Sequence, residues 1–276
     1  MGLLEAIVLG VVQGLTEFIP VSSSGHLVFV PWLLHWSKPA LVFDTTLHLG
    51  TLLALLIYFW RDIWEVIVAW LGGWSRRSWS EPAARLGWLI IVGTIPAAVA
   101  GLALQDQFEA LFGEPGFVGG ALVATGFILA LSEWVGRRRL EMEKLGFAGA
   151  IVAGVAQAVA ITPGISRSGA TISAGLWLGL KRPAAARFSF LLSMPIIAGA
   201  GLSQLVSLLR GHEPVEARST ALVVGFLAAV ISGYLCIRFL LSYLQRGTLY
   251  VFAAYCWAIG LLVIVLWNLT GGKGLG

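Results

Sequence analysis

Two short polar runs interrupt long apolar stretches of this chain, and both contain residue types that handle phosphate. QGLTEFIPVSSSGH contains Glu17, Ser23 and His26, and TPGISRSGAT contains Arg167. Arginine is a permanently charged, forked donor that suits phosphate oxygens. A serine beside a histidine is a candidate nucleophile, and a carboxylate can hold a hard divalent cation. Together these residues predict a site for phosphoryl transfer, which needs mainly positioning and charge neutralisation.

The spacing of these residues predicts how they cooperate. Gln13 and Glu17 are four apart, so they share one helical face and could together hold a cation that bridges two phosphate groups. Ser23 and His26 are three apart, and a short turn could bring the imidazole within hydrogen-bond reach of a serine hydroxyl. The successive N–H groups of SSSG and SRSG could form anion-binding nests, each opening a new helix.

Several of these residues have a structural alternative. Glu17 and Arg167 could be an ion pair that locks two helices, although charges inside membrane segments usually mark functional sites. His26 alone would more often be a buried histidine with satisfied hydrogen bonds. Ser22 and Ser24 could simply cap a helix. Three further polar residues have a structural interpretation of equal or greater weight: Asp44 and His48 as a capping or surface pair, and Gln157 as an interhelical hydrogen bond.

The composition places the chain in a membrane. Of its 276 residues, 58% are hydrophobic and only 12% are charged, whereas a soluble domain carries about 25% charged residues. The net charge is +4, but the cations flank apolar spans and form no patch with interleaved aromatics, so no nucleic-acid partner is expected. We predict one integral membrane domain over residues 1–276.

Hydropathy predicts six transmembrane helices and two interrupted segments. A spanning helix needs about 20 mostly apolar residues. The predicted spans are 41–60, 86–104, 117–136, 188–209, 220–241 and 249–268. The stretches 3–34 and 149–180 are broken at Pro20 and Pro163, and the pieces on either side of each break are too short to cross alone. Polar backbone at membrane depth must be buried in protein or line a wet cavity, so both are predicted to be re-entrant helix–loop–helix elements.

The two broken segments are also an internal repeat. A shift of 144 positions aligns AIVLGVVQG with AIVAGVAQA, and in the same register SSSG with SRSG. Each half, approximately 1–140 and 141–276, then contains one re-entrant element and three spans. Because three is odd, the second half is predicted to be inverted relative to the first. Inverted repeats place their site near the midplane, where the broken helices meet, so both loops should build one site.

The distribution of positive charge predicts the orientation. Cations concentrate in the loops after the first and third spans, in the link before the fourth and between the fifth and sixth, whereas the loop 105–116 is acidic. The side that carries the cation-rich loops should be cytoplasmic. Both termini and the active site should then lie on the outer, periplasmic side of a bacterial inner membrane. Few cations remain for the outer side, among them Arg210, Arg218 and Lys273.

At these two motifs the chain resembles the undecaprenyl diphosphate phosphatase family of the bacitracin-resistance type. QGLTEFIPVSSSGH is similar to that family's (E/Q)xxxE motif with its serine and histidine, and TPGISRSGAT to its PGxSRSxxT signature. The resemblance covers essentially the whole chain. It implies release of phosphate from undecaprenyl diphosphate, which recycles the lipid carrier for peptidoglycan synthesis and cell-wall biogenesis and confers resistance to bacitracin.

The resemblance also implies residue roles. Ser23 matches the nucleophile and His26 its partner, with Glu17 and Arg167 completing the catalytic set. The implied substrate-binding residues are Gln13, Ser22, Ser24, Gly25, Gly164, Ser166, Ser168, Gly169 and Thr171. The expected cofactor is a divalent cation, Mg²⁺ or Ca²⁺, with Glu17 as its ligand. Gln13 replaces one carboxylate of the family pattern and so weakens the case for a two-carboxylate metal site.

Some alternatives stay open at the level of sequence. The attacking group is either Ser23, with His26 as base, or a water activated by His26 or Glu17. A transporter or flippase of the polyprenyl phosphate lipid is the rival function, because many transporters have inverted repeats whose broken helices face each other. The oligomeric state is also open, with a homodimer as one alternative.

Overall fold

The structure is a computed structural model that describes residues 1–76, 80–104, 114–210 and 219–271, and within these ranges it is almost entirely α-helical. A short 3₁₀ turn at Met142–Lys144 and one isolated β-bridge, between Leu140 and Leu180, accompany the helices. The α-helices are α1 (Leu3–Phe18), α2 (Ser23–Leu33), α3 (Leu41–Tyr58), α4 (Trp60–Arg76), α5 (Pro82–Ala103), α6 (Pro115–Val135), α7 (Phe147–Val159), α8 (Arg167–Trp177), α9 (Arg182–Leu209), α10 (Ser219–Tyr243) and α11 (Tyr250–Leu269).

Six of these helices are long and apolar enough to cross a membrane, which confirms the number of predicted spans. They are α3, α5, α6, α9, α10 and α11. Their ends differ from the prediction by a few residues, most at α9, which begins at Arg182 because RPAAARF is itself a good helix-forming run.

The segment after the first span was predicted to be a loop, and this was wrong for residues 60–76, which form α4. Apolar side chains recur there every three or four residues, and Trp60, Trp64, Leu71 and Trp74 are exposed. Such spacing gives an amphipathic helix. A search for spans of about 20 apolar residues overlooks it, because Arg61, Asp62 and Glu65 interrupt the apolar run.

Helices α1 and α2 are separated at Pro20, as the sequence predicts. Ile19, the residue before the proline, is extended, with φ −61° and ψ 132°, which is the conformation that a following proline imposes. In the second half, Gly164 has φ +89° in the break between α7 and α8, and the Cβ of any side chain there would overlap the Val118 carbonyl oxygen. Local backbone chemistry therefore ends α1 and α7 before either reaches span length.

The short helices pack against spans of the opposite half of the sequence. Helix α1 lies along α10 and α7 lies along α5, while α3 packs on α9 and α6 on α11. The α1–α10 contact is very close. A Cβ at Gly14 would overlap Ser232 Oγ and lie 2.6 Å from the Gly233 nitrogen. Small residues allow helix backbones to approach in this way.

A buried carboxylate anchors the ends of three helices. Glu133, 2% exposed near the end of α6, accepts hydrogen bonds from the Leu249 N–H at 3.0 Å and from Arg182 Nε at 3.0 Å, and Arg138 also pairs with it. It thereby fixes the starts of α9 and α11 relative to α6.

Of the residues used to predict orientation, Arg218, Lys273 and the acidic positions 105–113 lie outside the described residues.

We expect Gly14→Ala to destabilise the protein, because the new methyl must displace α10 backbone as well as Ser232 Oγ. Overpacking of this kind costs typically about 1–3 kcal/mol. The matched control is Gly120→Ala, since a Cβ at Gly120 meets nothing within 4 Å. Thermal unfolding in detergent, followed by tryptophan fluorescence, should show a lower midpoint for Gly14→Ala. The midpoint of Gly120→Ala should be equal to or above that of the wild type, because alanine favours the helix interior. Equal midpoints in both variants would contradict the close contact.

Candidate functional site

The polar loops of the two halves meet at the N-terminal ends of α2 and α8. The Gly164 N–H donates to Ser24 Oγ at 3.4 Å, and Ser168 Oγ donates to the Ile19 carbonyl at 3.4 Å. The first N–H groups of a helix have no partner within that helix, and they attract anions. Two such ends therefore lie side by side, as expected for one site built from both halves.

Glu17 is the centre of the site. It lies near the end of α1 and is 7% exposed. Its Oε2 accepts a hydrogen bond from Ser23 Oγ at 2.6 Å and another from Gln13 Nε2 at 3.0 Å. Its Oε1 lies 3.4 Å from a terminal guanidinium nitrogen (Nη1) of Arg167 on the other half. A carboxylate so surrounded is stabilised in its charged form, and it holds the serine hydroxyl in one orientation.

Arg167, the first residue of α8, retains binding capacity. Within the described part of the chain its Nη1 is buried and makes no hydrogen bond, because the approach to Glu17 has ion-pair distance without hydrogen-bond geometry. Buried donors are nearly always satisfied in proteins, so such a nitrogen indicates a missing acceptor. It borders a cavity of about 10 Å³, room for about one water, which is lined by Glu17, Phe18, Arg167, Ser168, Ser189, Phe190 and Ser193.

Serines cap both inner helices in the same way. Ser22 Oγ accepts from the Gly25 N–H at 3.2 Å, and Ser166 Oγ accepts from the Gly169 N–H at 3.0 Å. Each cap also pairs with the serine two residues on, at 3.2 Å in both halves. Ser22 is therefore a helix cap, which was one interpretation of the sequence. Ser23 is the serine whose hydroxyl points at Glu17.

The two caps differ in backbone conformation. Ser22 has φ 69°, in the left-handed region that non-glycine residues rarely adopt, whereas Ser166 has φ −75°. Such a conformation costs on the order of 1–3 kcal/mol and persists only where the surroundings impose it. The strain is immediately before Ser23, so it sets the direction in which that serine projects.

The expected contact between His26 and a serine hydroxyl is not formed. His26 Nδ1 lies 2.8 Å from the Ser22 carbonyl oxygen, and Nε2 lies 2.8 Å from the Tyr255 hydroxyl. The physical reason is the helix itself, since His26 is in the first turn of α2, where its ring reaches back to the carbonyl of the capping residue. Ser23 is on the same turn but projects towards α1.

Two residues at the site were missed or left undecided by sequence reasoning. His48 Nε2 lies 3.7 Å from Glu17 Oε2, while its Nδ1 bonds the Asp44 carbonyl at 2.8 Å, so His48 faces the site from α3. Its signal was a lone histidine inside an apolar span. Tyr255 carried no usable signal, because a tyrosine in an apolar helix such as α11 is common and its partner is 229 positions away.

The second loop is held in place by neighbouring spans. Thr171 Oγ1 lies 2.5 Å from Ser189 Oγ on α9 and donates to the Arg167 carbonyl at 2.8 Å. The Ser166 N–H donates to Thr125 Oγ1 on α6 at 3.2 Å. Thr171 thus supports the backbone that carries Arg167, and its hydroxyl is already engaged.

The interpretation of Gln157 as an interhelical hydrogen bond was wrong. Its side chain is buried, 1% exposed, yet neither amide atom has a hydrogen-bond partner in the described structure. The residue aligned with Glu17 in the second half is Ile161, so the carboxylate that engages Gln13 has no counterpart for Gln157 to engage.

The residues at this site could supply one ligand to a divalent cation, but they do not form a complete metal-binding site. No group of three or more His, Cys, Asp or Glu side chains in the described ranges could enclose a metal ion, and Arg167 already faces Glu17. Mg²⁺, however, commonly binds through one or two carboxylates together with substrate phosphates, without a cage made entirely of protein. Glu17 fits that arrangement as a single protein ligand.

Comparisons with known proteins agree with the resemblance seen in the motifs. A family model, Bacitracin resistance protein BacA, matches residues 6–262. Undecaprenyl-diphosphatase of Thermomicrobium roseum is 46% identical over 96% of this chain and 98% of its own length. Undecaprenyl-diphosphatase of Moorella thermoacetica is 44% identical over 97% of this chain and 99% of its own length. The family match contains both loops and five of the six candidate spans, and it ends within the sixth, α11.

The unsatisfied Arg167 donor predicts anion binding by the purified protein. Arg167→Gln should weaken the binding of inorganic pyrophosphate by about 10- to 100-fold, the range for one or two charge-assisted hydrogen bonds. Arg238→Gln, an exposed arginine on α10, is the control for loss of one positive charge and should bind as the wild type does. Isothermal titration calorimetry in detergent measures both, and equal affinities in the two variants would rule out Arg167 as the phosphate contact.

Proposed function

We propose that this chain, which belongs to the Bacitracin resistance protein BacA family, is an undecaprenyl-diphosphatase. It releases phosphate from undecaprenyl diphosphate, and the monophosphate produced is the lipid carrier for peptidoglycan synthesis. The observation that supports this best is the position of the Ser23 hydroxyl, which donates to Glu17 Oε2 at 2.6 Å. The other oxygen of that carboxylate faces Arg167, whose buried Nη1 has no hydrogen-bond acceptor in the part of the chain that the structure describes. Removal of the diphosphate form of the carrier accounts for the bacitracin resistance after which the family is named.

Substrate binding rests on charge. The terminal phosphate lies against Arg167 and the N-terminal ends of α2 and α8, while the prenyl chain stays among the apolar surfaces of the spans. Arg167 replaces its long contact to Glu17 with hydrogen bonds to phosphate oxygens, which suit its forked geometry. The helix ends add partial positive charge without ionisable groups. Binding therefore uses the Arg167 Nη1 donor, which has no hydrogen-bond acceptor within the described ranges of the free protein.

The chemical step uses Ser23 and Glu17. Ser23 Oγ attacks the terminal phosphorus as its proton passes to Glu17 Oε2, and the bond from phosphorus to the bridging oxygen breaks, so that the lipid monophosphate leaves. A water then attacks the phosphoserine, phosphate is released, and the proton returns from Glu17 to Ser23. The geometry favours Glu17 over His26 as the base, because His26 Nε2 faces Tyr255. Direct attack by a water that Glu17 activates is the alternative, and it would use Glu17 and Arg167 without Ser23 as the nucleophile.

A divalent cation would add to this charge neutralisation. Glu17 would hold Mg²⁺ or Ca²⁺, and the ion would withdraw charge from the phosphate oxygens of the substrate. His48, 3.7 Å from Glu17 Oε2, stands on the same side of the carboxylate as Ser23. Gln13 holds Oε2 from α1 and keeps the carboxylate turned towards the loops.

The topology proposed from the sequence is an inverted repeat with two re-entrant elements. Reciprocal packing supports it: α1 of the first half lies on α10 of the second, and α7 of the second lies on α5 of the first. In both halves the helices on either side of the break are also too short to cross the membrane. The distribution of Lys and Arg supports cytoplasmic loops after the first and third spans. The site then opens to the outer side of the inner membrane.

The rival function, transport of the polyprenyl phosphate lipid, is not favoured. The relatives that match nearly the whole chain carry the name of a diphosphatase, and transport requires no serine held by a carboxylate. Detergent-solubilised protein separates the two functions, because transport has no meaning without a bilayer whereas hydrolysis continues.

We expect Ser23→Ala and Glu17→Gln each to reduce phosphate release from a long-chain prenyl diphosphate by at least about 10³-fold, because one removes the nucleophile and the other its base. Ser242→Ala, an exposed serine at the end of α10, should be fully active. Phosphate release in detergent is the measurement. If Ser23→Ala keeps wild-type turnover, Ser23 is not the nucleophile; if Glu17→Gln also does, the proposed site is wrong.

Cation dependence tests the role of Glu17 as a ligand. A chelator should reduce phosphate release by the wild type, and added Mg²⁺ or Ca²⁺ should restore it. Binding of Mn²⁺ as a paramagnetic substitute, measured with pyrophosphate present, should weaken about tenfold or more in Glu17→Gln. Unchanged Mn²⁺ binding in that variant would show that the cation, if required, uses other ligands.

A further inference from the structure

Both ring nitrogens of His26 have defined partners, and together they determine the state of the ring. Nδ1 lies 2.8 Å from the Ser22 carbonyl oxygen, and a carbonyl can only accept a hydrogen bond. Nδ1 therefore carries a hydrogen. In the neutral imidazole the other nitrogen, Nε2, is then an acceptor. A group that can donate must face it, and the Tyr255 hydroxyl does so at 2.8 Å.

Tyr255 also fixes the plane of the imidazole. The two rings are nearly parallel, with an interplanar angle of 12° and centroids 5.7 Å apart. Phe29, one turn further along α2, lies 6.2 Å from the imidazole centroid at a tilt of 59°. With both nitrogens bonded and aromatic rings as neighbours, the His26 side chain has one orientation.

The position of Tyr255 is itself determined by the fold. Tyr255 is on α11, whose preceding residue, Leu249, donates its N–H to the buried Glu133 at 3.0 Å. This bond fixes α11 along its axis relative to α6. Tyr255 is 40% exposed whereas His26 is 7% exposed, so the phenol covers the imidazole from the outside of the bundle.

We propose that Tyr255 is a positioning residue that acts on the reaction through His26. This inference rests on the proposed function. The phenol O–H holds Nε2 towards α11, so the imidazole does not turn to Ser23 and compete with Glu17 for its proton. Residues three apart on a helix are neighbours, so a ring held towards α11 leaves the Ser23 hydroxyl to Glu17 alone.

Hydrolysis by four variants in detergent tests the proposal. Tyr255→Phe keeps the ring and loses only the hydroxyl, so we expect kcat to fall about tenfold, the effect of one neutral hydrogen bond, with KM nearly unchanged. Tyr250→Phe, on the same helix and exposed, is the matched control and should be fully active. His26→Ala alone should be impaired, and adding Tyr255→Phe to it should cause no further loss, because coupled residues are not additive.

The outcomes separate this proposal from the function on which it rests. If the wild type releases phosphate and Ser23→Ala does not, the function stands, whatever Tyr255→Phe does. Full activity of Tyr255→Phe, or an equal loss in the wild-type and His26→Ala backgrounds, would overturn the positioning role. An equal thermal midpoint for Tyr255→Phe and the wild type would exclude misfolding as the cause of a loss.

A spectroscopic measurement gives a readout independent of catalysis. The chain has only 4 histidines, so ¹⁵N-histidine labelling gives a simple spectrum in which His26→Gln identifies the His26 signals. We expect a hydrogen on Nδ1 and none on Nε2, and we expect Tyr255→Phe to shift the Nε2 resonance. An Nε2 resonance that is the same in both proteins would show that the phenol makes no bond to the imidazole.

Discussion

The approach of Arg167 to Glu17 is the interaction on which the site depends. A charge inside a membrane protein is costly unless an opposite charge or hydrogen bonds compensate it. Here the carboxylate comes from the end of one broken helix and the guanidinium from the start of another, 3.4 Å apart. The hydrogen bonds that Glu17 accepts come from its own half, but the arginine that faces it comes from the other half, so this ion pair forms only where the two loops meet. The contact lacks hydrogen-bond geometry, so the buried Nη1 of Arg167 has no hydrogen-bond acceptor among the described residues, and this is the donor that the proposed function assigns to a substrate phosphate.

The repeat supplies one scaffold twice, and the chemistry comes from the positions where the two copies differ. Ser22 and Ser166 are equivalent caps with the same hydrogen bond to a glycine three residues on. The next residue along is Ser23 in the first half and Arg167 in the second. At the end of the preceding helix Glu17 corresponds to Ile161. The duplicated helix ends thus give the two loops approximate symmetry. The residues proposed as nucleophile, base and phosphate contact, which are Ser23, Glu17 and Arg167, lie at positions where the two copies differ.

Much of the fold was predictable because the bilayer imposes strong constraints on sequence. Length and hydropathy identify the six spans, and Pro20 and Pro163 mark the breaks, since a proline restricts its own backbone and that of the residue before it. The left-handed conformation of Gly164, the residue after Pro163, was seen only in the structure. Helix α4 was not found, because an amphipathic helix with charges on one side has the length of a span without its uniform hydropathy. The residue types of the polar loops predicted a functional site, since charge embedded in a membrane is costly and is usually kept for a function, and the internal repeat predicted that both loops build one site.

The sequence by itself determined that the chain enters a membrane, where its helices break, and which polar residues must be gathered at the breaks. These follow from composition and from local backbone chemistry. Only the tertiary structure decided which partner each polar atom takes. Glu17 accepts a hydrogen bond from Ser23, and His48 lies next to Glu17. His26 instead contacts Tyr255, a residue 229 positions away. Such pairings depend on how α3 and α11 pack against the broken helices, and side-chain direction after packing has no local sequence signal.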